Sequence, residues 1–155
     1  MFTLNKVIGL GKLGCAIADE LAAYPEYRTY KINSSIEDGL SVGDYPGMAE
    51  YEASVDPEEV SYYFRSLKKG DRILFILEGG DPISGATLKI LETIKDLRLN
   101  VLYICPDRQM VSETQKRDDR ICFHVLQEYA RSGKFENIFL VDKTKVEELA
   151  GDVPV

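Results

Sequence analysis

The chain has 155 residues, 45% of them hydrophobic and 29% charged, with a formal net charge of −7. That length suits a single domain, 1–155, with a proper core. The acidic balance argues against a nucleic-acid-binding surface. No apolar run approaches the ~20 residues of a membrane span, and no signal-peptide pattern precedes the first strand pattern. Cys15, Cys105 and Cys122 are odd in number and fall in apolar surroundings, so a reduced, cytoplasmic protein is expected. The single histidine, His124, sits mid-helix without a partner at metal-ligand or catalytic spacing, and no metal site is expected from the residues themselves.

The chain opens with a strand from Lys6 that leads into the pattern Gly9-Leu10-Gly11-Lys12-Leu13-Gly14. A helix follows to about Tyr24, where Pro25 ends it. Glycines between a first strand and a first helix permit a tight turn and a close backbone approach to a phosphate. The alternative is glycine used only for strand–helix packing. Lys12 is either a phosphate contact or a solvated lysine.

Tyr27–Ile32 alternates as a second strand and ends in Asn33-Ser34-Ser35. A dinucleotide fold would place an acidic residue there, about 20 residues past the glycines, to hold the ribose. Asn33 counts against NAD. Residues 36–54 are rich in turn signals and are predicted as a long loop with at most one helical turn or short strand. Asp56-Pro57 caps a helix expected to reach Lys69, where Gly70 stops it.

Ile73–Leu77 is apolar at consecutive positions, as in a strand covered on both faces. Gly79-Gly80-Asp81-Pro82-Ile83-Ser84-Gly85 follows it, and a helix is predicted from about Ser84, with Ser84 as its cap, to Asp96. Val101–Cys105 forms another buried strand. Ser112-Glu113-Thr114-Gln115 resembles a capping sequence for a helix to Ser132. Ile138–Val141 is the last strand, and Lys145–Ala150 a short helix. Alternation of strands and helices implies a three-layer, Rossmann-like, mostly parallel sheet with helices on both faces. Such sheets bind ligands at the carboxyl ends of the strands. Both glycine turns, Asn33, the 106–112 loop and Asp142 belong to those ends.

The order of these motifs resembles the nucleotide-binding half of the tubulin/FtsZ family. The family's first glycine loop is matched by Gly9, Gly11 and Gly14, and its Asn-containing turn by Asn33. Its third loop is matched by Gly43–Glu50. The signature G-G-G-T-G-[ST]-G agrees with this chain at Gly79, Gly80, Ser84 and Gly85. A family Glu and Arg at i, i+4 are matched by Glu113 and Arg117, which would meet the ribose. The resemblance implies a guanine nucleotide, GTP or GDP, with Mg2+ as its counter-ion.

Asp81, Pro82 and Ile83 depart from the signature. Pro82 deletes an N–H donor, and Asp81 adds negative charge where phosphates would sit. The family's second, hydrolytic domain and its guanine-contacting Asn have no counterpart in these residues, so neither hydrolysis nor filament formation is inferred. Three readings stay open. One is a tubulin/FtsZ-like guanine-nucleotide binder. Another is a degenerate domain acting through self-association or a protein partner. The third is an NAD(P)-binding Rossmann protein.

Overall fold

A computed structural model describes residues 5–107 and 109–145. Six parallel strands form one sheet in the order β3-β2-β1-β4-β5-β6. They are β1 (Lys6–Leu10), β2 (Arg28–Ser34), β3 (Leu40–Val42), β4 (Arg72–Glu78), β5 (Arg98–Cys105) and β6 (Asn137–Asp142). The helices are α1 (Gly11–Ala22), α2 (Met48–Ser54), α3 (Pro57–Tyr63), α4 (Thr87–Thr93) and α5 (Glu113–Arg131). The expected Rossmann-like class is therefore found, with the strand order that reverses between β1 and β4. The 145–150 helix lies almost wholly outside the described residues.

The two faces of the sheet are covered unequally. Ile8, Leu10, Phe75, Leu77, Val101 and Tyr103 point into the larger core, against residues of α2, α3, α4 and α5. Val7, Ile76 and Ile104 point the other way and meet Leu13 and Ala18 of α1. Strand β4 supplies both cores from alternate residues, which is why its sequence is apolar without a break.

Several boundaries differ from the sequence reading. Residues 36–54 hold β3 and α2 instead of a long loop. Parallel strands normally need a long crossover. Here β3 is short and pairs only with the tip of β2, Ile32 to Ser34. Five residues then suffice to turn back, and Ser35 takes a left-handed φ of 54° to do so. Helix α3 stops at Tyr63, well short of Lys69, because the chain leaves the helix at Phe64 to bury that ring. The helix expected from Ser84 begins earlier, as a 3-10 turn over Pro82–Ala86 that runs on into α4. Its cap is Asp81, whose carboxylate accepts the N–H of Ile83. Ser84 lies inside the turn. Asp followed by Pro starts a helix well, because Pro is pre-set for the first helical position. The capping sequence at α5 is present in full, with Ser112 and Gln115 capping each other's backbone.

One ion cluster ties β2 to α1 and to the loop after β2. Lys31 leaves β2 on the α1 face, and its ammonium meets Asp19 of α1 at 2.7 Å and Asp38 at 2.6 Å. The hydrogen bonds to Asp19 and Asp38 raise the Lys31 pKa. The same ammonium lowers the carboxyl pKa of Asp38. A depressed carboxylate stabilises the fold above its ordinary range and loses that contribution as pH falls through its folded pKa. A raised lysine contributes below its ordinary pKa and loses that as pH rises through its folded value. The cluster is thus fully effective between the two. Both carboxylates are mostly exposed, so solvent screens the gain. The urea midpoint should fall from about pH 5 to pH 2, and Lys31→Met should flatten the part of that fall due to this cluster.

Candidate functional site

The carboxyl edge of the sheet carries the predicted site residues. Gly9 and Gly14 lie where α1 crosses the sheet. A Cβ on Gly9 would stand 2.2 Å from the carbonyl oxygen of Gly14, and one on Gly14 would stand 2.7 Å from that of Ile76. These two glycines let a helix backbone touch a strand backbone. That role fills the positions without any ligand.

Gly11 is different. Its φ of 79° makes the turn from β1 into α1. Helix α1 has no side-chain cap at Leu10 and no acidic residue in its first turn, so its positive end is left to outside groups. Asp81 is a carboxylate beside this turn. A Cβ on Gly11 would meet Asp81 Oδ2 at 3.0 Å and Ile83 Cγ2 at 2.9 Å. The Asp81-Pro82-Ile83 segment lies across the turn at the point where the sheet order reverses. Burial pushes the Asp81 carboxyl above its usual range, while the N–H of Ile83 pulls it down. Glu78 adds to the rise and is itself paired with Lys143 at 2.9 Å.

The remaining signature positions pack on protein. A Cβ on Gly79 would strike the hydroxyl of Tyr103 and the carboxylate of Asp119, and one on Gly80 would reach the carbonyl of Gln115. A Cβ on Gly85 would strike the carbonyl of Met48, at the start of α2. Ser84 is 3% exposed. Its hydroxyl makes no regular hydrogen bond and rests beside the Cys122 thiol. The starts of α1, α2 and α5 thus converge on residues 79–85.

Four predicted residues stay accessible. Lys12 is exposed in the first turn of α1. Asn33 is half-buried at the tip of β2, with its side-chain oxygen accepting the N–H of Ser34. Glu113 and Arg117 both lie near the start of α5, but they pair with other residues. Glu113 meets Lys116 at 3.1 Å, and Arg117 lies 3.7 Å from Asp118. The third loop is joined to the tip of β2 through Ser34, whose hydroxyl donates to the Gly43 carbonyl.

Sequence reasoning missed the polar pair beneath Gly79. The Tyr103 hydroxyl donates to the backbone oxygen and to the carboxylate of Asp119. Asp119 is 1% exposed. The signal was available: Asp119, Cys122 and Leu126 fall on one stripe of α5, so an acid lay on the buried face. Among the described residues, no group of three or more His, Cys, Asp or Glu side chains is placed to hold a metal.

The larger cavities lie elsewhere. One of about 410 Å³ is lined by Asn5, Lys6 and Pro25–Arg28, at the start of β1. One of about 470 Å³ opens at the amino edge, between the ends of α4 and α5, with Tyr129 and Phe135 stacked in its wall. A shallower one of about 360 Å³ lies at the carboxyl edge beside β5 and β6, lined by Pro106, Asp107, Gln109, Asp142 and Thr144. The first two are far from the glycine turns, and only the third shares their edge. No family model matches this chain, and neither does any curated protein. No helix among the described residues is long and apolar enough to cross a membrane.

The thiols give a direct check of this packing. Burial pushes Cys15 up to about 11 and Cys122 up to about 12. Neither should react with a disulfide reagent at about pH 8, where reaction requires the thiolate. Cys105, partly exposed, should react first, and all three after unfolding.

Proposed function

We propose that this is a nucleotide-type α/β domain whose phosphate cradle is closed by its own chain, and that it works through protein association. The observation that carries the reading is the carboxylate of Asp81 over Gly11. It supplies the negative charge that the positive end of α1 attracts. A phosphate oxygen about 4 Å from that carboxylate would meet a repulsion of about 4 kcal/mol at a near-surface dielectric. Ile83 fills the adjoining space, and Pro82 offers no N–H. The tubulin/FtsZ resemblance then describes the ancestry of the fold, with its triphosphate site lost.

A second reading has one observation of its own. Lys12 is exposed beside the closed turn, and Glu113, Arg117 and Asn33 remain accessible along the same edge. These are the groups that a guanine nucleotide of the tubulin/FtsZ type would use, with Mg2+ offsetting Asp81. An NAD(P)-binding role has less support, since Asn33 stands where the ribose acid belongs.

A fluorescent GDP and GTP titration, with and without Mg2+, separates the readings. The expected result is no saturable binding up to about 1 mM nucleotide, which corresponds to less than about 4 kcal/mol of binding. Saturable micromolar binding by the unaltered chain would sink the closed-cradle reading. Asp81→Gly combined with Ile83→Gly should open the turn and give measurable phosphate binding.

A further inference from the structure

The cavity of about 470 Å³ at the amino edge is built mainly from the two turns that flank β5 in the chain, α4 to β5 and α5 to β6. Its apolar surface comes from Leu91, Leu97 and Leu99 together with Tyr129 and Phe135. Leu91, Leu99 and Phe135 are buried, and the rings of Tyr129 and Phe135 stack with centroids 6.1 Å apart. Aromatic walls of this kind accept a further apolar or aromatic group. An apolar cavity of this size with a few polar groups at its mouth is the usual form of a small-molecule site.

The charged residues that line it balance: Glu92, Asp96 and Glu136 against Lys95, Arg98 and Lys134. Most of them already have partners. Glu136 is held by Arg98, by Arg72 from behind and by Asn100. Lys134 sits over the Tyr129 ring at 4.4 Å, and Glu92 accepts from the Tyr129 hydroxyl at 3.5 Å. In the adjoining last turn of α5, Glu128 and Arg131 pair with each other. Lys95 and Asp96 are left. They are neighbours in the α4–β5 turn, both exposed, and neither side chain has an ion pair or hydrogen bond among the described residues. Asp96 also borders the next cavity, but Arg65 and Lys69 there lie beyond ion-pair distance of it. Arg98 uses one terminal nitrogen on Glu136 and keeps further N–H donors.

We infer that this cavity binds a free α-amino acid with a large apolar side chain. The side chain fills the space against Leu99 and Phe135, which removes apolar surface from water. The ammonium is taken by Asp96, and the carboxylate by Lys95 and Arg98. A zwitterion thus satisfies two adjacent opposite charges at once. A phosphate ester fits less well, since it brings two negative charges to a mouth that holds three carboxylates. A neutral apolar ligand, or an apolar side chain of a protein partner, leaves Lys95 and Asp96 without partners.

The site lies at the opposite edge from residues 79–85 and does not rest on the closed-cradle reading, which the nucleotide titration tests by itself. Calorimetric titration of the whole chain with L-phenylalanine and with L-leucine should give saturable binding at about 0.1–1 mM. N-acetylphenylalanine lacks the ammonium and phenylalaninamide lacks the carboxylate, and each should bind at least about fivefold more weakly than phenylalanine. Glycine, without a side chain to bury, should show no binding up to about 10 mM. Lys95→Gln with Asp96→Asn changes two exposed residues, so this variant should melt as the unaltered chain does. It should lose most of the difference between phenylalanine and its two blocked forms. Absence of saturable binding by phenylalanine and leucine up to about 10 mM overturns the inference. So does equal binding of phenylalanine and N-acetylphenylalaninamide, which marks a groove for a protein side chain. Undiminished discrimination by the double variant overturns it as well.

Discussion

The contact on which the rest depends is the backbone crossing of α1 over β1 and β4. It exists because Gly9 and Gly14 carry no side chains. A methyl at either position would overlap a carbonyl oxygen, and a well-packed interior has no slack to absorb it. Bringing the helix this close fixes where its positive end lies. It lies at the carboxyl edge, beside the turn that leaves β4.

That placement explains the form of the second glycine turn. The unpaired N–H groups of a helix start need an acceptor. In this chain the carboxylate of Asp81 lies beside the first turn of α1 and caps the 3-10 turn that follows it. Its neighbours are fitted to that arrangement: Gly79 against Tyr103 and Asp119, Gly80 against α5, Gly85 against α2. These faces are joints of the core.

Much of this was legible in the residues. The unbroken apolar run of β4 announced a strand buried on both faces. The spacing of the glycines announced strand–helix junctions, and Ser112 with Gln115 announced the start of α5. The alternation of elements implied a parallel sheet, because parallel strands need crossovers. The parts that did not come through depend on contacts distant in sequence. The long 36–54 segment lacked a periodicity strong enough to reveal β3 and α2, since both are short. Ser84 looked like a cap because helix periodicity starts there. The 3-10 turn before it has a different repeat and hides from that pattern.

The sequence by itself determined the class of fold, the order of its elements and the edge at which the unusual residues gather. Those follow from local preference and from the period of apolar side chains, which each segment carries alone. Only the tertiary structure decided what stands opposite each glycine. The same residue permits a phosphate to approach or a backbone to cross, and the difference is what stands opposite. Opposite Gly9 and Gly14 stand carbonyl oxygens, and opposite Gly11 stands the carboxylate of Asp81, 70 residues later in the chain. No local pattern encodes that distance, because it is set by how β1 and β4 lie side by side.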